Sequence, residues 1–250
     1  MYSEEEIKQL AEDENELTEE EILVLLAALH TTLDELEKEI RLFYQKYGKD
    51  GIVTYAEAKQ WVSSTNHVRR MVFLNQGIAD IVTDGFNNFE QTFRFTLTNI
   101  IEKEAKFFGI TVDIDELLNT PWGVDGLTAL ERLSIHRKKH ILNVNCNLKR
   151  SILRGDSIFD VLDEMSKYGD KMDWQLTRLL RSESNAMSSI VHKQGFIANG
   201  YTHYKFVHVD RCSCEQCESM EGKIFPIEEY EVGITANPLH SNCKDTTVPI

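Results

Sequence analysis

The chain has 250 residues, 42% of them hydrophobic, and a formal net charge of −14, which is enough apolar material for a real core in one large domain or two smaller ones. No apolar run reaches the eighteen or so residues that a membrane span needs. The start, Met-Tyr-Ser-Glu-Glu-Glu, is the opposite of a basic signal peptide, so a reducing cytoplasm is the expected site of synthesis.

The charge is concentrated at the front. Residues 1–40 hold fourteen acids and two lysines. Residues 1–16 have few apolar anchors and read as an acidic, flexible start. The plain reading of the acid run is a solvated face, and the sharper one is an arm that docks on a basic surface. Thr18-Glu-Glu-Glu21 is a capping box, which predicts a helix start there. Leu26, Leu29, Leu33, Leu36, Ile40, Phe43 and Tyr47 then alternate spacings of three and four. They predict one apolar stripe on a helix of about eight turns, ended by Gly48. Such a stripe packs on the chain's own helices or on another protein.

Thr54-Tyr-Ala-Glu57 is a second capping box, predicting a helix to about Asn75 and another from Ile78 towards Asp84. Phe86, Phe89, Phe93, Leu97, Ile100 and Ile101 carry a third apolar face to Phe108, read as core. Residues 109–119 break the pattern. Pro121-Trp122-Gly123 is a turn signal, and a boundary is placed near it, between a helical domain at 17–120 and a second domain at 121–250.

Thr128-Ala-Leu-Glu131 caps the next helix. Between Gly126 and Arg154 seven basic residues face a single acid, Glu131. Arg137, Lys138, Lys139, Lys149 and Arg150 are candidate contacts for a phosphate backbone or an acidic partner, against the plain reading of a solvated face. No aromatics interleave with them as stacking platforms. Cys146 on this helix reads as an inert buried thiol. Gly155 ends the helix. A short helix from Ser157 to Tyr168 is predicted to stop at Gly169, and a long one runs from Lys171 to Asn199. On it, Arg181 and Glu183 are expected to pair with the strand that follows. Tyr204–Val209 alternates as a strand. Lys223–Phe225 and Thr246–Val248 complete a small antiparallel sheet. The fold class is therefore mainly α, with a small α+β module at the C-terminal end.

The cysteines dominate that end. Cys212, Cys214, Cys217 and Cys243 lie within its last forty residues, with His240 three before Cys243. Cys214-x-x-Cys217 and His240-x-x-Cys243 are paired spacings that aim two side chains at one centre, as a tetrahedral zinc site does. Twenty-two residues separate the pairs. A structural zinc ion on Cys214, Cys217, His240 and Cys243 is one reading, with Cys212 as a substitute for Cys214. A metal-free cluster of thiols and imidazole is the other. No P-loop, dinucleotide fingerprint or His-Glu-x-x-His is present. His240 has no evident orienting carboxylate, so catalysis is not expected.

These same residues carry a resemblance. Asp210-x-x-Ser213-Cys214-x-x-Cys217, Gly222-Lys-x-Phe225 and Pro238-x-His240-x-x-Cys243-Lys244 resemble the C-terminal signature of the phage Mu F-like minor head proteins. Arg181-Ser-Glu183 is similar to that family's Arg-Thr-Glu helix, and the resemblance spans roughly residues 120 to 250. Cys212, Glu221, Asn237 and Lys244 depart from the pattern. The resemblance implies a minor head protein of a tailed phage, acting with the portal and other head proteins in procapsid assembly and in DNA packaging or delivery. Its place would be the virion, with no membrane partner, and packaged DNA is a candidate contact. The competing class is a metal-dependent nuclease or a toxin-like effector sharing the module. Such effectors usually carry a catalytic domain after the module, and this chain ends six residues past Lys244.

Overall fold

The computed structural model of the chain describes residues 2–53, 65–209 and 214–250, with the backbone only at 65–73 and 75. The described residues are 70% helical, with six α-helices and a three-stranded antiparallel sheet near the C-terminal end. The mainly-α class read from the sequence holds. Four helices are long: α1 (Glu4–Tyr47), α2 (Thr65–Phe108), α4 (Ala129–Arg154) and α5 (Ile158–Ala198). Two are short: α3 (Ile114–Leu118) and α6 (Glu215–Glu218). None of the described helices is long and apolar enough to cross a membrane.

Several boundaries differ from those the local signals predict, each for a physical reason. The acidic start is helical rather than flexible. Ser3 and Glu6 form the capping box that opens α1: Glu6 Oε2 accepts the Ser3 N–H at 2.8 Å, and Ser3 Oγ accepts the Glu6 N–H at 3.2 Å. Ile7, Leu10, Ala11 and Glu14 then face inward, all buried. Thr18 lies in the middle of α1, buried, not at its start. The capping box at Thr54–Glu57 falls outside the described residues. Downstream, α2 passes through Gly77 and Gly85 without a break, and α5 passes through Gly169. Gly85 and Gly169 give close approach instead of ending helices. A Cβ on Gly85 would lie 2.2 Å from Thr32 Oγ1, and one on Gly169 would lie 2.8 Å from Leu33 Cδ1. Gly155, with φ +78°, does end α4. The capping box at Thr128 and Glu131 is formed as read, with Thr128 N–H donating to Glu131 Oε2 at 2.9 Å.

The residues fall into two compact units. The first comprises Met1–Val24, Gln91–Leu133 and Leu176–Ile250, and the second Leu25–Glu90 and Ser134–Gln175. Each long helix therefore contributes residues to both. Pro121, where the sequence reading puts a boundary, lies inside the first unit with residues 91–133 on either side of it.

The first unit contains the sheet, ordered β2-β1-β3, with β1 His203–Val207, β2 Ile224–Pro226 and β3 Thr246–Pro249. Tyr204 pairs with Phe225 on one side and Pro249 on the other. Tyr204 joins Ile7, Phe108, Phe196, Val207, Ile227, Tyr230, Ala236 and Val248 in one buried cluster. The second unit buries the leucine and phenylalanine stripes. Leu29, Leu36, Ile40 and Phe43 of α1 are interior, as are Ile78, Val82, Phe86 and Phe89 of α2. The α1 stripe is therefore core of this chain, not a free docking face.

Candidate metal centre and basic helix face

Both ligand pairs sit in tight turns within the first unit. Cys214 caps the single turn of α6, its Sγ accepting the Cys217 N–H at 3.3 Å. In the other pair the Cys243 N–H donates to the His240 carbonyl at 3.1 Å, and Asn242 takes the left-handed φ of +66° that closes the turn. Asn tolerates that conformation better than most residues. The two turns meet beneath β1, where Phe206, Cys217, Leu239 and Cys243 form a small buried cluster.

The sulphur and nitrogen atoms converge. Cys217 Sγ is 3.1 Å from His240 Nε2 and 3.8 Å from Cys243 Sγ. Two sulphurs on one tetrahedral zinc, each bonded at about 2.3 Å, stand roughly 3.8 Å apart. The Nδ1–H of His240 donates to the Ser241 carbonyl at 2.9 Å. Its Nε2 therefore presents a lone pair to the sulphurs, as a metal ligand or thiol acceptor requires. Hydrogen bonding to Cys243, together with burial, pushes the Cys217 thiol well above its ordinary pKa. Without a cation Cys217 is therefore a neutral thiol.

The four ligands read from the sequence do not form one group. The ligating atoms gather as Cys214, Cys217 and His240, and as Cys217, Cys243 and Asp245, each set within 4.8 Å. Cys217 belongs to both. Asp245, which the sequence reading overlooked, stands beside Cys243, its Oδ2 3.6 Å from that Sγ. It is fully buried and anchored: His208 Nδ1 lies 2.9 Å from its Oδ1, and Asn185 Nδ2 donates to its backbone carbonyl at 3.1 Å. Thiols, imidazole and a carboxylate together are a donor set that suits zinc. Cys212 lies outside the described residues.

The helix motif of α5 is anchored differently from the expectation. Arg181 forks onto Glu19 of α1, with both bonds at 2.7 Å, instead of pairing with the strand. Glu183, fully buried, accepts the Trp122 indole N–H at 2.7 Å and Arg132 Nη1 at 3.0 Å. Arg132 also donates to the Trp122 carbonyl at 2.6 Å and lies 4.2 Å from the centre of its ring. Burial raises the Glu183 pKa, and the Arg132 charge opposes that rise.

A second buried polar set was invisible in the sequence. Glu104, Ser188 and His192 are buried together, with Ser188 Oγ donating to Glu104 Oε1 at 3.0 Å and His192 Nε2 lying 2.9 Å from Glu104 Oε2. Burial, and then the Glu104 charge, hold the Glu14 carboxyl well above the ordinary carboxylate range. Sequence periodicity marks these positions as inward-facing, but it carries no sign that polar groups would partner there.

On α4, the basic residues divide. Arg132 is committed to Glu183, and Arg154 bonds Asp156 and Glu164. Arg137 leans on Asn87 at 3.4 Å. Lys138, Lys139, Lys149 and Arg150 are exposed. Cys146 is exposed as well, not buried, because the inward positions are His140, Val144, Leu148 and Ile152, and 146 points the other way.

Comparison with protein-family models, with curated proteins and with solved structures finds no match to this chain.

Proposed function

We propose that this chain is a minor head protein of a tailed phage, built into the procapsid with or near the portal, and that its Cys/His/Asp cluster is a structural staple and not a catalytic centre. The observation that carries the reading is convergence. Cys214-x-x-Cys217 and His240-x-x-Cys243, the segments of the resemblance that lie far apart in sequence, meet at Cys217. The Ser182 hydroxyl of the α5 motif accepts the Asn242 N–H between the second pair, at 3.4 Å. Gly222, with φ +73°, donates its N–H to Phe206 of β1 at 2.9 Å and so returns the chain to the sheet. Glu221, a departure from the family pattern, accepts the His208 N–H at 2.7 Å.

A bound zinc ion would be held by Cys214, Cys217 and His240, with Cys243 and Asp245 alongside. It would supply a cross-link between two loops of a sheet that has little core of its own. The chain's own residues set up that role: His208 and Asn185 fix Asp245, and the Ser241 carbonyl fixes the imidazole tautomer.

The test is genetic and compositional. Portal and scaffold genes should flank this gene. Mass spectrometry of purified procapsids should find the protein in fewer copies than the major capsid protein, and its deletion should stop infectious particles from forming. Its absence from procapsids, or normal particle yield without it, overturns the reading.

A further inference from the structure

Two exposed helix faces, one in each unit, are complementary in charge and in apolar content. In the second unit, α4 turns Ile135, Lys139, Leu142 and Lys149 outward at helical spacing, flanked by Lys138 and Arg150. Ile135 is 49% exposed and Leu142 62%. Among the described residues none of these four cations has an ion-pair partner, whereas Arg132 and Arg154 of the same helix do.

In the first unit, α1 turns Glu12, Glu16 and Glu20 outward, followed by Leu23 and Val24, which are 69% and 56% exposed. Neighbouring acids on α1 have cations of their own: Glu4 has Lys8 and Lys205, Asp13 has Lys103, and Glu19 has Arg181. Glu12, Glu16 and Glu20 have none among the described residues. Stacked at intervals of four, they repel one another along the helix. A cation from outside would relieve that cost.

We propose that the basic face of α4 docks on the acidic face of α1 in a second copy of this chain. Each face carries large exposed aliphatic side chains among charges of a single sign, so burying them together removes apolar surface from water while opposite charges face one another. At 1.5 Å per residue, the stretches 12–24 and 135–150 run for roughly 18 and 23 Å, comparable lengths. Made twice about a two-fold axis the contact closes as a dimer; made once per pair it propagates into a ring or an open chain. Duplex DNA is the weaker occupant, since Ile135 and Leu142 would be set against phosphate, and no aromatic stands in the stripe to stack on a base. The inference does not depend on the head-protein reading.

The experiment is sedimentation velocity on the full chain from about 1 to about 100 µM, at about 50 and about 500 mM salt. The wild type should associate, and high salt should weaken that association at least roughly tenfold. A variant with Lys138→Glu, Lys139→Glu, Lys149→Glu and Arg150→Glu should be monomeric. So should one with Glu12→Lys, Glu16→Lys and Glu20→Lys. Mixing the two should restore association, because each then offers the face the other lacks. Leu142→Ser alone should weaken association about tenfold, and it serves as the check if a multiple variant loses its helical circular dichroism. A wild type that stays monomeric overturns the proposal, as does either folded variant associating like the wild type. A mixture of folded variants that remains monomeric also overturns it. A monomer whose α4 cations retard duplex DNA would assign the face to nucleic acid instead.

Discussion

The two units keep different things inside. In the second, the buried polar side chains among the described residues are Thr32, His140 and Ser151, and the rest of its described interior is apolar. The first holds all the others: Glu14, Glu104, Ser188 and His192 in one network, Glu183 with Arg132 and Trp122 in another, and Asn185, Asn237 and Asp245 around the thiols. Ser189 and Thr247 also meet the Tyr230 hydroxyl there, at 2.9 and 2.8 Å. Apolar stripes are satisfied by any neighbour of the right volume. Hydrogen-bonded networks are satisfied by one arrangement, and they penalise a missing partner heavily. The second unit should therefore tolerate repacking, and the first should not.

The sharpest break between them is expected at Glu183. Glu183→Ala leaves the Trp122 indole N–H without its acceptor and takes from Arg132 its buried carboxylate, so that only Asp125 and the Trp122 carbonyl still hold the guanidinium. Breaking a buried charged network on one side and leaving a buried donor unpaired costs about 3 kcal/mol or more. Phe86→Leu in the second unit removes atoms from an equally buried position, yet a hydrophobic swap of similar volume should cost only ~1 kcal/mol. Urea unfolding of both variants measures the pair, and equal losses would end the comparison.

The next largest effect is removal of metal. If the thiol cluster holds zinc, protein purified without chelator should carry about one equivalent, and Cys217→Ala should abolish it. Chelation should then speed amide exchange across 203–249 by at least roughly a hundredfold, which corresponds to about 3 kcal/mol. Amides of the second unit should change far less. Less than about one-tenth of an equivalent of any metal would leave the cluster as packed thiols.

Two glycines compare the units on equal chemistry. A Cβ on Gly195 would meet Phe108 Cγ at 2.4 Å in the first unit's main cluster, and one on Gly85 would meet Thr32 Oγ1 at 2.2 Å in the second. Overpacking of this kind costs about 1–3 kcal/mol. Gly195→Ala should lie at the upper end, because the Phe108 ring is locked against Phe196 and His192. Gly85→Ala should lie at the lower end, and Thr32→Ser should recover part of its loss. Thermal unfolding distinguishes the two.

The sequence made the second unit easy to read and the first hard. Leu29, Leu36 and Ile40, or Ile78, Val82 and Phe86, announce an interior helix face by spacing alone. The gathering of cysteines and His240 was legible because paired ligands carry their geometry in the spacing. Asp245 was not, since a lone carboxylate two residues past Cys243 resembles any surface acid until His208 and Asn185 are seen to hold it. The start of α1 was misjudged for the same reason. Ser3-Glu-Glu-Glu6 is a capping box as good as the one at Thr18, but Ile7 is an anchor only once Phe108 and Tyr204 are beside it. Gly85 and Gly169 look like helix ends because local propensity cannot register Thr32 or Leu33 packed against them.

The smallest effect is a slope with pH, and its sign differs between the units. His140 in the second unit is pushed down to about 4, by burial first and then by the charges of His136 and Lys139. It is buried beside the Tyr168 hydroxyl and stacked on Phe86. Its folded value is below the unfolded one, so between about 6.5 and 4 the unfolded chain binds the extra proton and stability falls as pH falls. Glu14 in the first unit is held above 4.5 by burial and by Glu104, with Lys103 opposing. Here the folded chain binds the extra proton, so stability falls as pH rises from about 4.5 through the elevated folded value. Each contributes at most about 1.4 kcal/mol per pH unit. Above pH 4.5 the two slopes oppose, and Glu183, likewise raised by burial, has the sign of Glu14. Glu14→Gln should therefore stabilise the protein at pH 8 more than at pH 5, and His140→Gln should make stability less dependent on pH below 6.5. Unfolding free energies at half-unit steps from pH 4.5 to 8 measure both. Parallel curves for the wild type and Glu14→Gln would mean that Glu14 does not hold a proton in the folded state at these pH values, and the first unit would then contain a buried carboxylate neutralised by its neighbours instead.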